Sequence, residues 1–221
     1  MDLTEQTIAY CERGDLAFWA EPVNAVTNAS FLVAAAVMAG RLRGARLPLA
    51  WALVGVLAAI GVGSFLWHTL ATRWAGLADV LPILVFILIY VFAATRDLVG
   101  LASRWAALAV VLFLPYAALV AGGLGWLVPG IGANGAYLSV VLLILAYAVH
   151  LAPRAPETAR GLSIGAGILA LSLTFRALDG PLCAMVPVGT HFLWHLLNGV
   201  MLGWMIEVYR RQVAQPATRR G

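Results

Sequence analysis

Residues 48–68 read PLAWALVGVLAAIGVGSFLWH, with no acidic or basic side chain before the closing histidine. A helix needs roughly 20 mainly apolar residues to cross ~30 Å of hydrocarbon, and this stretch supplies them. Working outward from it, further apolar runs separated by charge, proline and glycine fall near 24–40, 78–95, 105–122, 136–150, 161–178 and 188–207, which makes seven in all. The whole chain of 221 residues agrees, being 62% hydrophobic and 11% charged, with a mean hydropathy of +0.92. That composition excludes an ordinary soluble domain. The runs are too long and too continuously apolar for the alternating strands of a membrane barrel. The expected fold is therefore an all-α seven-transmembrane helical bundle, a single domain over 1–221. An N-terminal segment, 1–23, packs over one face, and a basic tail occupies 208–221.

The net charge of +4 comes entirely from arginine, and its distribution follows the loops rather than forming a nucleic-acid patch. Seven spans put the two termini on opposite sides. Arg41, Arg43, Arg46, Arg96, Arg104, Arg154, Arg160, Arg210, Arg211, Arg219 and Arg220 then share the C-terminal side, leaving Arg13, Arg73 and Arg176 on the other. The positive-inside rule makes the C-terminus cytoplasmic and the N-terminus periplasmic or lumenal; in a bacterium the membrane would be the inner one. The polar, acidic residues 1–21 do not resemble a cleaved signal peptide. Cys11 and Cys183 both fall on the N-terminal side, where they either pair or remain as two half-buried thiols.

Ionisable groups at membrane depth cost a few kcal/mol, so each needs a partner or a task. Three of the four histidines lie at one end of the bundle: His68 closes the second span, and His191 and His195 open the seventh. His191 and His195, at i and i+4, share a helical face and suit chelation of one ion. An isolated pair of this kind would more naturally be two packed core histidines. With His68 as a third ligand, the set describes an open zinc site with room for water. Ser64, one turn before His68, faces the same way, although buried serines also serve simply as small packing residues. Asp79 opens the third run at matching depth, as a helix N-cap, a general base beside the metal, or both. Asn198, one turn beyond His195, would either orient a histidine or act as interhelical glue. Arg176 and Asp179 read as a local ion pair with no chemistry. The Gly161, Gly165 and Gly167 run serves packing within the bundle as readily as dimerisation.

Several separated motifs resemble the alkaline ceramidase family, a branch of the seven-span superfamily that includes the adiponectin receptors. They are Tyr10-Cys11-Glu12, Glu21-Pro22-Val23-Asn24 with Thr27-Asn28, Gly63-Ser64 with His68, Asp79 with Leu81-Pro82, and His191-Phe192-Leu193-Trp194-His195 with Asn198. The resemblance implies zinc on His68, His191 and His195, Asp79 as acid and base, Ser64 on the water or oxyanion, and a Cys11–Cys183 disulfide. The implied reaction is hydrolysis of ceramide, a membrane lipid partner, to a sphingoid base and a fatty acid. It further implies an N-terminal calcium site, with Glu12 and Glu21 on two of its carboxylate positions. Ala9 and Gly14 stand where the family has ligands, leaving Asp15 to compensate. Other N-acyl lipids or phospholipid esters remain open as substrates, as does a receptor in which zinc is structural. The intact Ser64, Asp79 and open metal position count against the receptor.

Overall fold

A computed structural model of the chain describes residues 2–128, 132 and 134–214. Among these residues the fold is helical, with no strand beyond one isolated bridge, Gln6 to Thr72. The helices are α1 Pro22–Thr27, α2 Ala29–Arg41, α3 Pro48–Leu70, α4 Arg73–Ala93, α5 Ser103–Leu127, α6 Asn134–Leu151, α7 Pro156–Leu182 and α8 His191–Ala214. A π-helical turn, Ala94–Leu98, extends α4. Proline at the first turn starts α1, α3 and α7, where its missing N–H costs nothing. A left-handed residue, Ala71, ends α3 and lets the chain reverse into α4 within three residues.

Each expected run corresponds to a helix, generally longer at both ends. Among the described residues six segments are long and apolar enough to cross a bilayer, Pro22–Arg41 counted as one across the Asn28 joint. The last helix, α8, spans 24 residues but carries His191, His195, Asn198 and Glu207, all buried. Its polarity is affordable because α2, α3 and α7 surround it, so these groups meet protein rather than lipid. Helices adjacent in sequence pack side by side from α2 to α8, and α8 closes the ring against α2. The periphery is α5, whose Val111, Leu112, Leu114 and Leu119 point outward. Residues 208–214 continue α8 rather than beginning a tail, and Arg219 and Arg220 lie outside the described residues.

Small residues set the closest approaches. A methyl on Gly161 or Gly165 would strike Val208 or Met205 of α8, whereas Gly167 faces open space. The first two glycines therefore pack α7 on α8.

Candidate metal centre

His68 ends α3 and His191 begins α8, so the reversal at Ala71 and the start of α8 bring three imidazoles to one end of the bundle. Their ring centroids are 4.6 to 5.2 Å apart, and one ligand atom from each lies within 4.8 Å of the others. All three are buried, at 0%, 2% and 1% exposure for His68, His191 and His195.

The ring nitrogens account for themselves. His68 Nδ1 meets Glu21 Oε2 at 2.6 Å, and His195 Nδ1 meets Thr27 Oγ1 at 3.0 Å. The opposite nitrogens, Nε2 of both rings, are buried with no hydrogen-bond partner, as is Nδ1 of His191. A buried polar atom left unsatisfied costs about 1–3 kcal/mol, and a metal ion would relieve several at once. Orienting one ring nitrogen so that the other presents a lone pair is how metal-ligating histidines are held. Among the described residues this is the one His/Cys/Asp/Glu group arranged to hold a metal ion, and its donors fit one.

The N-terminal segment covers this pocket. Thr7 N–H donates to Ala71 O, Arg73 N–H to Glu5 O and Trp74 N–H to Leu3 O, pinning the segment to the α3–α4 turn. Tyr10 stacks on His191 at 3.8 Å between centroids, and a Cys11–Cys183 disulfide ties the segment to the end of α7. Asp179 completes the join. Its carboxylate accepts from the N–H groups of Cys11 at 3.1 Å, Thr190 at 2.8 Å and His191 at 3.0 Å, capping the start of α8 at His191. The expected Arg176–Asp179 pair does not form: the Arg176 side chain instead bonds Asn134 and lies over the Tyr137 and Trp194 rings.

Ser64 and Asp79 do come together, each next to the point where Gly63 of α3 meets the Ala78 backbone of α4. Gly63 makes this approach feasible, because a Cβ there would lie 1.9 Å from the Ala78 carbonyl oxygen. Asp79 is not a helix N-cap. Thr72 precedes the first turn of α4 and Asp79 sits well inside the helix; Arg73 and Trp74 are amphipathic residues that an apolar window trims but a helix retains.

Asn198 orients no histidine. Its amide donates to Ser172 Oγ at 3.3 Å and to Trp194 O at 3.0 Å, joining α7 to α8, while Glu21 and Thr27 hold the rings. Nor do Glu12, Glu21 and Asp15 converge as calcium ligands. Glu12 accepts from the N–H groups of Val23 and Asn24 at 2.7 and 2.8 Å, capping α1, and exposed Asp15 turns back to Ala17 N–H. Glu21 is spent on Arg13, Asn24 and His68. Burial pushes the Glu21 carboxyl upward, but the His68 imidazole and the Arg13 guanidinium outweigh it and hold the group below the usual carboxylate range. The motif containing Glu21, Asn24 and Thr27 is visible in the sequence; that two of these residues serve the histidines is not, since it depends on α1 folding across the ends of α3 and α8.

Deeper in the bundle than the histidines lies an apolar cavity of about 70 Å³. Phe31, Ile60, Trp194 and Asn198 line its near part, and Tyr90, Tyr147, Leu162 and Met205 its far part. Fold and site together define a multi-pass helical membrane protein whose buried three-histidine pocket can hold a metal ion above an apolar cavity. The family model described as Ceramidase matches residues 4–218, nearly the whole chain, and the chain belongs to the ceramidase family. No curated protein is similar enough to the chain to count as a match.

Proposed function

We propose that the chain is a zinc-dependent lipid amide hydrolase that cleaves ceramide, or a close N-acyl analogue, to a fatty acid and an amine. The observation that carries this reading is the set of unpartnered imidazole nitrogens on His68, His191 and His195 beside Asp79, in a chain of the ceramidase family. A zinc ion on those three histidines would supply Lewis acidity at the amide carbonyl and lower the pKa of water from 15.7 toward ~7.

The chain's own residues do the rest. The Asp79 carboxylate would take a proton from the attacking water and return it to the leaving amine nitrogen, because an amine leaves only once protonated. Ser64, on the turn of α3 that faces Asp79, would steady that carboxylate toward the pocket. Glu21 and Thr27 hold the tautomers of His68 and His195 so that their free nitrogens point inward. The apolar cavity would accept part of a hydrocarbon chain of the substrate, with the amide lying on the histidine side of Phe31 and Trp194.

In this reading α8 is the seventh span, its 24 residues reaching ~36 Å at 1.5 Å per residue. The pocket then faces the periplasm or lumen, and the arginine-rich end faces the cytoplasm.

The test is to purify the protein in mild detergent, count metals, and follow fatty-acid release from a fluorescent ceramide with and without a zinc chelator. One zinc per chain and chelator-sensitive release are expected. Asp79→Asn should retain the metal and lose turnover; full turnover by that variant refutes the assigned base, and active protein without zinc refutes the metal.

A further inference from the structure

The N-terminal segment contains a cation of its own. Arg13 is 3% exposed overall, and its side chain is fully buried. The guanidinium is surrounded by oxygens: Nε donates to Glu21 Oε1, Nη1 to the carbonyls of Asp15 at 3.3 Å and Ala17 at 3.2 Å, and Nη2 to those of His68 at 2.8 Å and Thr69 at 3.5 Å. A guanidinium has five N–H donors in a rigid fork, and five acceptors meet them. Through this one group the loop at residues 13–21 is joined to the end of α3.

We infer that Arg13 is the resident cation of this segment: its guanidinium fills the oxygen cage, so no calcium binds there, and it positions His68 for the metal through Glu21.

A hard divalent cation needs six to eight oxygens, and the segment cannot offer them. Ala9 and Gly14 have no side-chain ligand atoms, Glu12 is committed to two backbone N–H groups, and Asp15 is turned to solvent. The remaining carboxylate, Glu21, already carries the guanidinium, whose charge repels a second cation. That same carboxylate grips His68 Nδ1, and Arg13 also holds the His68 carbonyl. The arginine thus controls both the place of the third histidine's backbone and the orientation of its ring. The calcium half of the inference stands whatever the reaction, and the positioning half rests on the reading that His68 binds metal.

The test begins with the wild-type protein in detergent: radioactive calcium binding, and the unfolding midpoint with and without added calcium. No stoichiometric calcium and an unchanged midpoint are expected; one calcium per chain, or a midpoint raised by calcium, overturns the inference. Arg13→Gln is then compared by zinc competition against a chromogenic chelator, with a loss of affinity of about 10–100-fold expected, as for other residues that orient metal ligands. Arg13→Lys should remain weakened, since one ammonium cannot span five acceptors, and Arg73→Gln, which removes an exposed pair with Glu5, should not differ from wild type. Wild-type zinc affinity in both Arg13 variants refutes the positioning role. If neither variant folds, the calcium measurements on wild type still decide whether Arg13 has taken the cation's place. A wild type that binds no zinc refutes the positioning half together with the hydrolase reading, and the calcium half is then judged alone.

Discussion

Replacing Gly63 by alanine tests how the proposed base reaches the metal pocket. Gly63 is where α3 and α4 touch backbone to backbone: a methyl there would stand 1.9 Å from the Ala78 carbonyl oxygen and 2.6 Å from its carbon. Restoring an ordinary contact of 3.4 Å requires the two helices to separate by about 1.5 Å at this level. No side chain can swing aside, because the atoms in the way are backbone. Asp79 directly follows Ala78, so the separation carries the carboxylate away from Ser64 and His68. A misplacement of ~1 Å at a reacting group can cost about 100-fold in rate, and forced overpacking costs about 1–3 kcal/mol of stability. Gly63→Ala should therefore retain its zinc, since all three histidines remain, yet lose at least about 100-fold in ceramide turnover and unfold at lower temperature. Gly55, on the same helix with nothing within 4 Å, is the control: Gly55→Ala should be fully active and up to about 1 kcal/mol more stable, from helix propensity alone. A Gly63→Ala protein with wild-type turnover and midpoint would refute the close approach and, with it, the account of how Asp79 is placed.

Asp179→Ala removes a carboxylate that accepts three backbone N–H groups; at about 1.5–3 kcal/mol for a charged hydrogen bond, a loss of about 3 kcal/mol is expected in denaturant unfolding, and an unchanged transition would contradict the capping role. Glu21 contributes a pH dependence whose sign is fixed by its depressed folded-state pKa: the unfolded chain takes up the proton first, so the stabilisation is complete above about 4.5 and is lost as pH falls through the folded value. Midpoints measured on acidification should show this decline in wild type and less of it in Glu21→Gln. Leu162→Trp narrows the far part of the apolar cavity and should depress hydrolysis of long-acyl ceramides more than short ones; an equal effect on both would place the acyl chain elsewhere.

The length and apolarity of the runs made the helices legible because lipid leaves a chain few options: every backbone group must be satisfied locally, so an apolar run becomes a helix. Their ends were harder to read, as Asp79 illustrates. Its carboxylate looked like the start of α4 because the residues before it, Arg73 to Ala78, are only partly apolar, but a helix persists through such residues at an interface. The three histidines were legible from depth and from the i, i+4 spacing, both local quantities. What orients them was not. Glu21 bonds a residue 47 positions away and Thr27 one 168 positions away, and no local pattern carries that information. Arg176 and Asp179 mark the same limit: three residues apart on one helix, they are the obvious ion pair, yet the folded chain offers Asp179 three N–H donors and Arg176 two aromatic faces.

The candidate metal pocket is assembled from four stretches of chain, and only two of its three histidines are neighbours in sequence. His191 and His195 are brought together by α8 itself, whose start is capped by Asp179. His68 has no such local guarantee. It lies at the last turn of α3, where the backbone is about to reverse through Ala71, and helix ends are the least rigid parts of a helix. The residues that make it rigid come from the N-terminal segment: Glu21 on the ring, Arg13 on the carbonyl, and the bridge at Thr72 on the turn beyond. That segment is secured in turn at Cys183 and Asp179, immediately before α8. One continuous strap thus connects the two helix ends that carry the histidines. It explains why so polar a stretch, residues 2–21, is held by buried charges and a covalent bond rather than left to solvent: the geometry of the third histidine depends on it.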